Sequence, residues 1–86
     1  MNPRISEFFG IKVYMYYEDH NPPHFHVIYN EYECYIAIET LTIIEWDLPI
    51  KVKKLVSAWA ELYQDDLRED WRLIQLWQKP NIIEPL

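Results

Sequence analysis

The apolar residues of this chain change their period once, between Trp46 and Pro49, and that change limits the folds open to it. Before it, Ile11, Val13 and Met15 alternate with Lys12, Tyr14 and Tyr16, the period of two of a strand buried on one side. After it, Val52, Leu55, Val56, Trp59 and Leu62 recur at helical spacing, and Leu67, Trp71, Ile74 and Trp77 do so again. Strands followed by helices imply an α+β domain, an antiparallel sheet of three to four strands with two C-terminal helices packed on one face. Eighty-six residues hold one core, so residues 1–86 are read as a single domain.

The boundaries follow from the residues that break each pattern. Strands are expected over about 11–46, beginning after Gly10, the only glycine. Pro22-Pro23 interrupts the first strand pattern, because proline cannot continue a ladder. His24 to Tyr29 and Tyr32 to Glu39 read as strands joined by a tight Asn30-Glu31 turn, with a short fourth over Leu41 to Trp46. Helices are expected over about 49–78, with Asp47 as the cap and Pro49 in the first turn. One helix over that span would be about 45 Å long, too long for so small a domain, so a break is expected near Gln64-Asp65-Asp66. Pro80 starts an extended tail over 80–86 whose Ile82, Ile83 and Leu86 are expected to dock on apolar surface. Trp59, Trp71, Trp77 and Cys34 are assigned to the core.

Alternation also assigns the sheet faces. Phe25, Val27 and Tyr29 fall on the core side with Cys34, Ile36 and Ile38. The other side then carries Tyr14, Tyr16, His24, His26, Glu33, Tyr35 and Glu39, with the histidine pair at the centre of an exposed face. His20, before the stiff Asn21-Pro22-Pro23 turn, is expected to swing over that pair. All three histidines of the chain therefore gather in one place.

Three readings of that face stay open. The imidazoles of His20, His24 and His26, with Asp19 as a fourth ligand or an orienting partner, suit a divalent metal such as zinc with an open coordination position. Without a metal, His20, His24 and His26 serve as general acid and base, for example in RNA cleavage, with Tyr16 stabilising developing charge. The third reading is a non-catalytic surface: Tyr14 and Tyr35 with the histidines bind a cognate small protein or a second copy of the chain. Lys51, Lys53 and Lys54 crowd the first turns of the first helix, where the dipole disfavours cations; they suit an anionic partner, or are an ordinary solvated face.

Net charge bears on the choice. Eight Lys+Arg against 14 Asp+Glu give −6, which repels nucleic acid at long range without excluding a local contact with RNA. One cysteine precludes an internal disulfide, and neither a leader-like run nor a stretch of about 20 apolar residues is present. The expectation is a cytoplasmic protein with no membrane partner.

The run Met15-Tyr16-Tyr17-Glu18-Asp19-His20-Asn21-Pro22-Pro23-His24-Phe25-His26-Val27 resembles the bacterial family of domain of unknown function 4160. The likeness extends from Ser6-Glu7-Phe8-Phe9-Gly10-Ile11 through Ile38-Glu39-Thr40, Leu48-Pro49, Ala58-Trp59-Ala60-Glu61-Leu62 and Trp71 to Ile83-Glu84-Pro85-Leu86. The chain departs from the family in carrying Asn30-Glu31 where many members have glycine. The resemblance implies a toxin-like component of a bacterial toxin–antitoxin type module acting on RNA or translation, with His20, His24 and His26 at signature positions. The acidic net charge sits awkwardly with a nuclease.

Overall fold

The structure, a computed structural model, describes residues 2–86. Five strands, β1 (Arg4–Phe8), β2 (Ile11–Tyr14), β3 (His24–Tyr29), β4 (Tyr32–Ala37) and β5 (Ile43–Trp46), form one antiparallel sheet in sequence order. Two helices follow, α1 (Ile50–Leu62) and α2 (Gln64–Gln75). The α+β class and the helical second half are as the periodicity predicts.

The additional strand is β1. Its residues Ile5 and Ser6 are both buried, with a register shift between Arg4 and Ser6, so the segment shows no clean alternation. Its turn into β2 is equally unsignalled: Phe9 (φ 51°) precedes Gly10 (φ 75°), and a phenylalanine rarely occupies the left-handed region. Asn30 (φ 51°) makes the β3–β4 turn, where asparagine tolerates that conformation.

The core-side assignment holds. Val13, Phe25, Val27, Cys34 and Ile36 are buried in one cluster with Val52, Val56 and Trp59 of α1 and Leu67, Trp71 and Ile74 of α2. Trp59 is fully buried, its ring 5.4 Å from Phe8 and 5.9 Å from Phe25. Burial pushes the Cys34 thiol up to about 12, so it acts as a small hydrophobe.

Several details differ from the sequence reading. Asp47 does not cap α1; its Oδ1 accepts from the Leu48 N–H instead, and Pro49 is the cap residue. Tyr63 (φ −116°, ψ 28°) separates the helices one residue ahead of the expected break, which leaves Asp65 and Asp66 in the first turn of α2. Leu62 lies at the end of α1 and is exposed rather than core. Helix α2 stops at Gln75, and Trp77, in the left-handed region at φ 58°, is exposed and stacked on Tyr17.

The tail docks by hydrogen bonds as much as by apolar contact. Ile83 is buried and its N–H donates to the Ile5 carbonyl at 2.7 Å, while Ile82 and Leu86 stay exposed. The Trp59 indole donates to the Glu84 carbonyl at 2.8 Å. Asp70 Oδ1 accepts from the Asn81 N–H at 2.8 Å, whereas Oδ2 is buried without a partner.

Burial pushes the Asp70 carboxyl up to about 6, with the Asn81 N–H opposing. The folded state therefore holds this proton more tightly than the unfolded chain, so stability is greatest below the ordinary carboxylate value and declines as pH rises through about 6. Asp70→Asn removes the charge and keeps the oxygen that receives Asn81. At pH 7.5 the variant is expected to be more stable by on the order of 2 kcal/mol, with no gain at pH 4, as measured by urea unfolding.

Candidate functional site

His24 and His26, two residues apart on β3, point to the same side of the sheet, opposite Phe25 and Val27. His26 is directly paired with Tyr14 on β2 and with Tyr35 on β4. The expected exposed surface is instead a roofed one: His26 is 1% and His24 7% exposed. The Tyr16 ring stacks on His26 at 3.7 Å and 16°, Tyr35 meets it edge-on at 4.3 Å, and Trp71 of α2 lies 5.4 Å from His24. Tyr16 and Tyr35, which alternation places on this face, close over the two rings together with Trp71. Trp71 is the contributor that sequence reading assigned to the core alone.

The loop over residues 15–23 supplies the roof's polar member. A turn in which the Asp19 N–H donates to the Tyr16 carbonyl at 3.2 Å brings the Asp19 side chain above the histidines. Asp19 Oδ2 lies 2.6 Å from His26 Nε2 and 3.2 Å from His24 Nε2. The three ligand atoms all fall within 4.8 Å of one another. His20, expected to join them, is exposed and outside the triad; the chain turns it into solvent. Lys53 pairs with Asp47 at 2.9 Å, and Lys51 and Lys54 are exposed on α1, so none of the three lysines enters the triad.

Hydrogen bonding constrains the protons. His24 Nδ1 lies 2.8 Å from the Pro22 carbonyl, which can only accept, so Nδ1 carries a hydrogen. In a neutral His24 ring, Nε2 then presents a lone pair to the Asp19 carboxylate oxygen. Two acceptors facing each other require a cation between them, whether a proton or a metal ion. His26 donates from Nε2 to Asp19, and its Nδ1 is buried without a partner. Burial lowers the His26 pKa, with the Asp19 hydrogen bond and charge opposing that shift. Burial and the nearby Glu33 charge raise the Tyr16 and Tyr35 phenols, so both are hydroxyl donors at neutral pH.

The donor set fits a divalent transition metal. Two imidazoles and one carboxylate leave coordination positions free, and that set serves zinc and non-haem iron centres. A tetrahedral ion with bonds of about 2.0–2.1 Å needs ligand atoms about 3.3 Å apart. The Asp19–His24 separation is already 3.2 Å, whereas Asp19–His26 at 2.6 Å and the spread of up to 4.8 Å across the set would have to adjust to seat an ion. The Pro22 carbonyl gives His24 the outer hydrogen bond that metal-ligating histidines have. Asp19, 17% exposed in its side chain, borders a cleft of about 420 Å³ that Tyr16, Tyr17, Glu18 and Trp77 also line.

A family model described as Domain of unknown function (DUF4160) matches residues 10–72, a span that holds the whole triad. No curated protein and no solved structure matches the chain. Among the described residues, no helix is long and apolar enough to cross a membrane.

Because burial lowers the His26 pKa, stability is expected to fall as pH drops below 6.5, where the unfolded histidine gains a proton first. Asp19 is the group that opposes this shift, so Asp19→Asn is expected to lower the His26 titration midpoint further in chelator-treated protein. Histidine ring NMR across pH 4–8 reads the midpoint directly. An unchanged value in the variant means that the Asp19 carboxylate does not act on His26.

Proposed function

The chain belongs to the DUF4160 family, whose description assigns no activity, and from the geometry of its triad we propose that it is a metal-dependent protein, with Asp19, His24 and His26 holding one divalent transition-metal ion. One observation carries the reading. The Pro22 carbonyl holds the hydrogen of His24 on Nδ1, so that a neutral ring turns its Nε2 lone pair toward a carboxylate oxygen 3.2 Å away. A site built of facing acceptors and roofed by aromatic rings attracts a cation.

A metal held there acts as a Lewis acid and lowers the pKa of a bound water, which suits hydrolysis. Around it the chain supplies two phenol donors, Tyr16 and Tyr35, within ring contact of His26. The toxin-like, RNA-cleaving role implied by the family resemblance is proposed on this same triad. A metal supports that role better than metal-free acid–base catalysis, because Asp19 and Glu33 give the bare site a negative field that repels phosphate.

Titration calorimetry of untagged, chelator-treated protein with Zn²⁺ is expected to give one site per chain. Asp19→Asn, His24→Ala and His26→Ala each weaken it by at least about tenfold, and His20→Ala leaves it unchanged. Affinity declines as pH falls and the imidazoles take up protons. Absence of stoichiometric binding, or equal loss in His20→Ala, contradicts the assignment. In cells, growth arrest on expression that disappears with His26→Ala supports the toxin-like role; undiminished arrest in that variant removes the triad from it.

A further inference from the structure

We infer that the groove between the β3–β4 turn and β5 docks a basic segment of a partner protein, with an arginine guanidinium stacked on Trp46. The two edges of the sheet are treated differently. The β1 edge receives the tail, through the Ile83 N–H on the Ile5 carbonyl, whereas β5 is paired only with β4. The β5 end carries Ile44 and Trp46 exposed, beside exposed Tyr32. A register shift interrupts the β4–β5 ladder, which limits strand addition and leaves recognition to side chains.

Trp46 is the anchor. It sits in the left-handed region at φ 63°, a conformation that a bulky residue adopts at a cost of about 1–3 kcal/mol. The ring is not compensated by burial: it is 59% exposed and rests against Tyr35 at 5.4 Å. The exposed indole leaves a ring surface open to stacking.

The chemistry of the groove selects that partner. A cavity of about 500 Å³ is lined by Glu31, Tyr32, Glu33, Trp46 and Asp47, with no cationic side chain lining it among the described residues. Lys53 reaches Asp47 from α1, which leaves Glu31 and Glu33 free of the ion pairs found among the described residues. Carboxylates beside an indole face favour a guanidinium, through cation–π attraction and charge-assisted hydrogen bonds. The same carboxylates and the net charge of −6 repel a nucleic-acid backbone. The second exposed tryptophan, Trp77, is a poorer platform, since one of its faces is already stacked on Tyr17 at 5.5 Å and 9°.

The test uses the full-length protein and a hexa-arginine peptide, followed by the indole N–H resonances. The Trp46 resonance is expected to move and that of Trp77 to stay. Affinity is expected to fall at least about tenfold in Trp46→Ala and similarly in the Glu31→Gln/Glu33→Gln double variant, which keeps every ring of the fold. Asp19→Asn, which weakens the proposed metal site without altering a ring that supports Trp46, is expected to bind the peptide as the parent does, so the two readings fail separately. Movement of Trp77 instead of Trp46, undiminished affinity in the double variant, or displacement of the peptide by an oligouridylate overturns the inference.

Discussion

One carboxylate placed between two buried imidazoles organises the outer side of this sheet. Asp19 reaches both His26 and His24 through Oδ2, and everything around it serves to hold that contact. Two histidines on one strand are spaced by the pleat, and here one carboxylate bridges their Nε2 atoms. Burying three polar groups together without hydrogen bonds costs several kcal/mol. Here the Pro22 carbonyl, the carboxylate and the stacked Tyr16 ring share that load.

The rest of the molecule packs mainly on the other side of the sheet. Helices α1 and α2 fill the opposite face through Val52, Val56, Trp59, Leu67 and Ile74, which leaves the histidine side to be closed by the loop over 15–23 and by Trp71. The tail then fixes α1, α2 and β1 together through Glu84, Asn81 and Ile83. A small domain with a modest core gains rigidity from such ties, and a rigid frame is what a preorganised ligand set requires.

Much of this was legible in the sequence, and the misses share a cause. Strand parity placed Phe25 and Val27 inward and His24 and His26 on the other side, and helical spacing found Val52, Val56, Trp59, Leu67 and Ile74. Asp19 was recognisable as a partner because it lies just ahead of a proline-stiffened turn leading into the histidine strand. Local periodicity says nothing about what covers a sheet face. It therefore left His24 and His26 exposed, and it placed Trp77 in the core because the helical stripe runs on past the point where the backbone turns at φ 58°. His20 looked equivalent to its neighbours by type and spacing, yet the loop turns it into solvent. β1 escaped notice because Ile5 and Ser6 are buried side by side at a register shift.

The proposed cation site uses His24 Nε2, His26 Nε2 and Asp19 Oδ2 as its ligand atoms. Ring-nitrogen NMR of ¹⁵N-histidine protein during addition of Zn²⁺ tests it most directly. The Nε2 signals of His24 and His26 are expected to shift together and saturate at one equivalent, with His24 Nδ1 still protonated and His20 unmoved. Silence at both Nε2 signals, or a response dominated by His20, would contradict it.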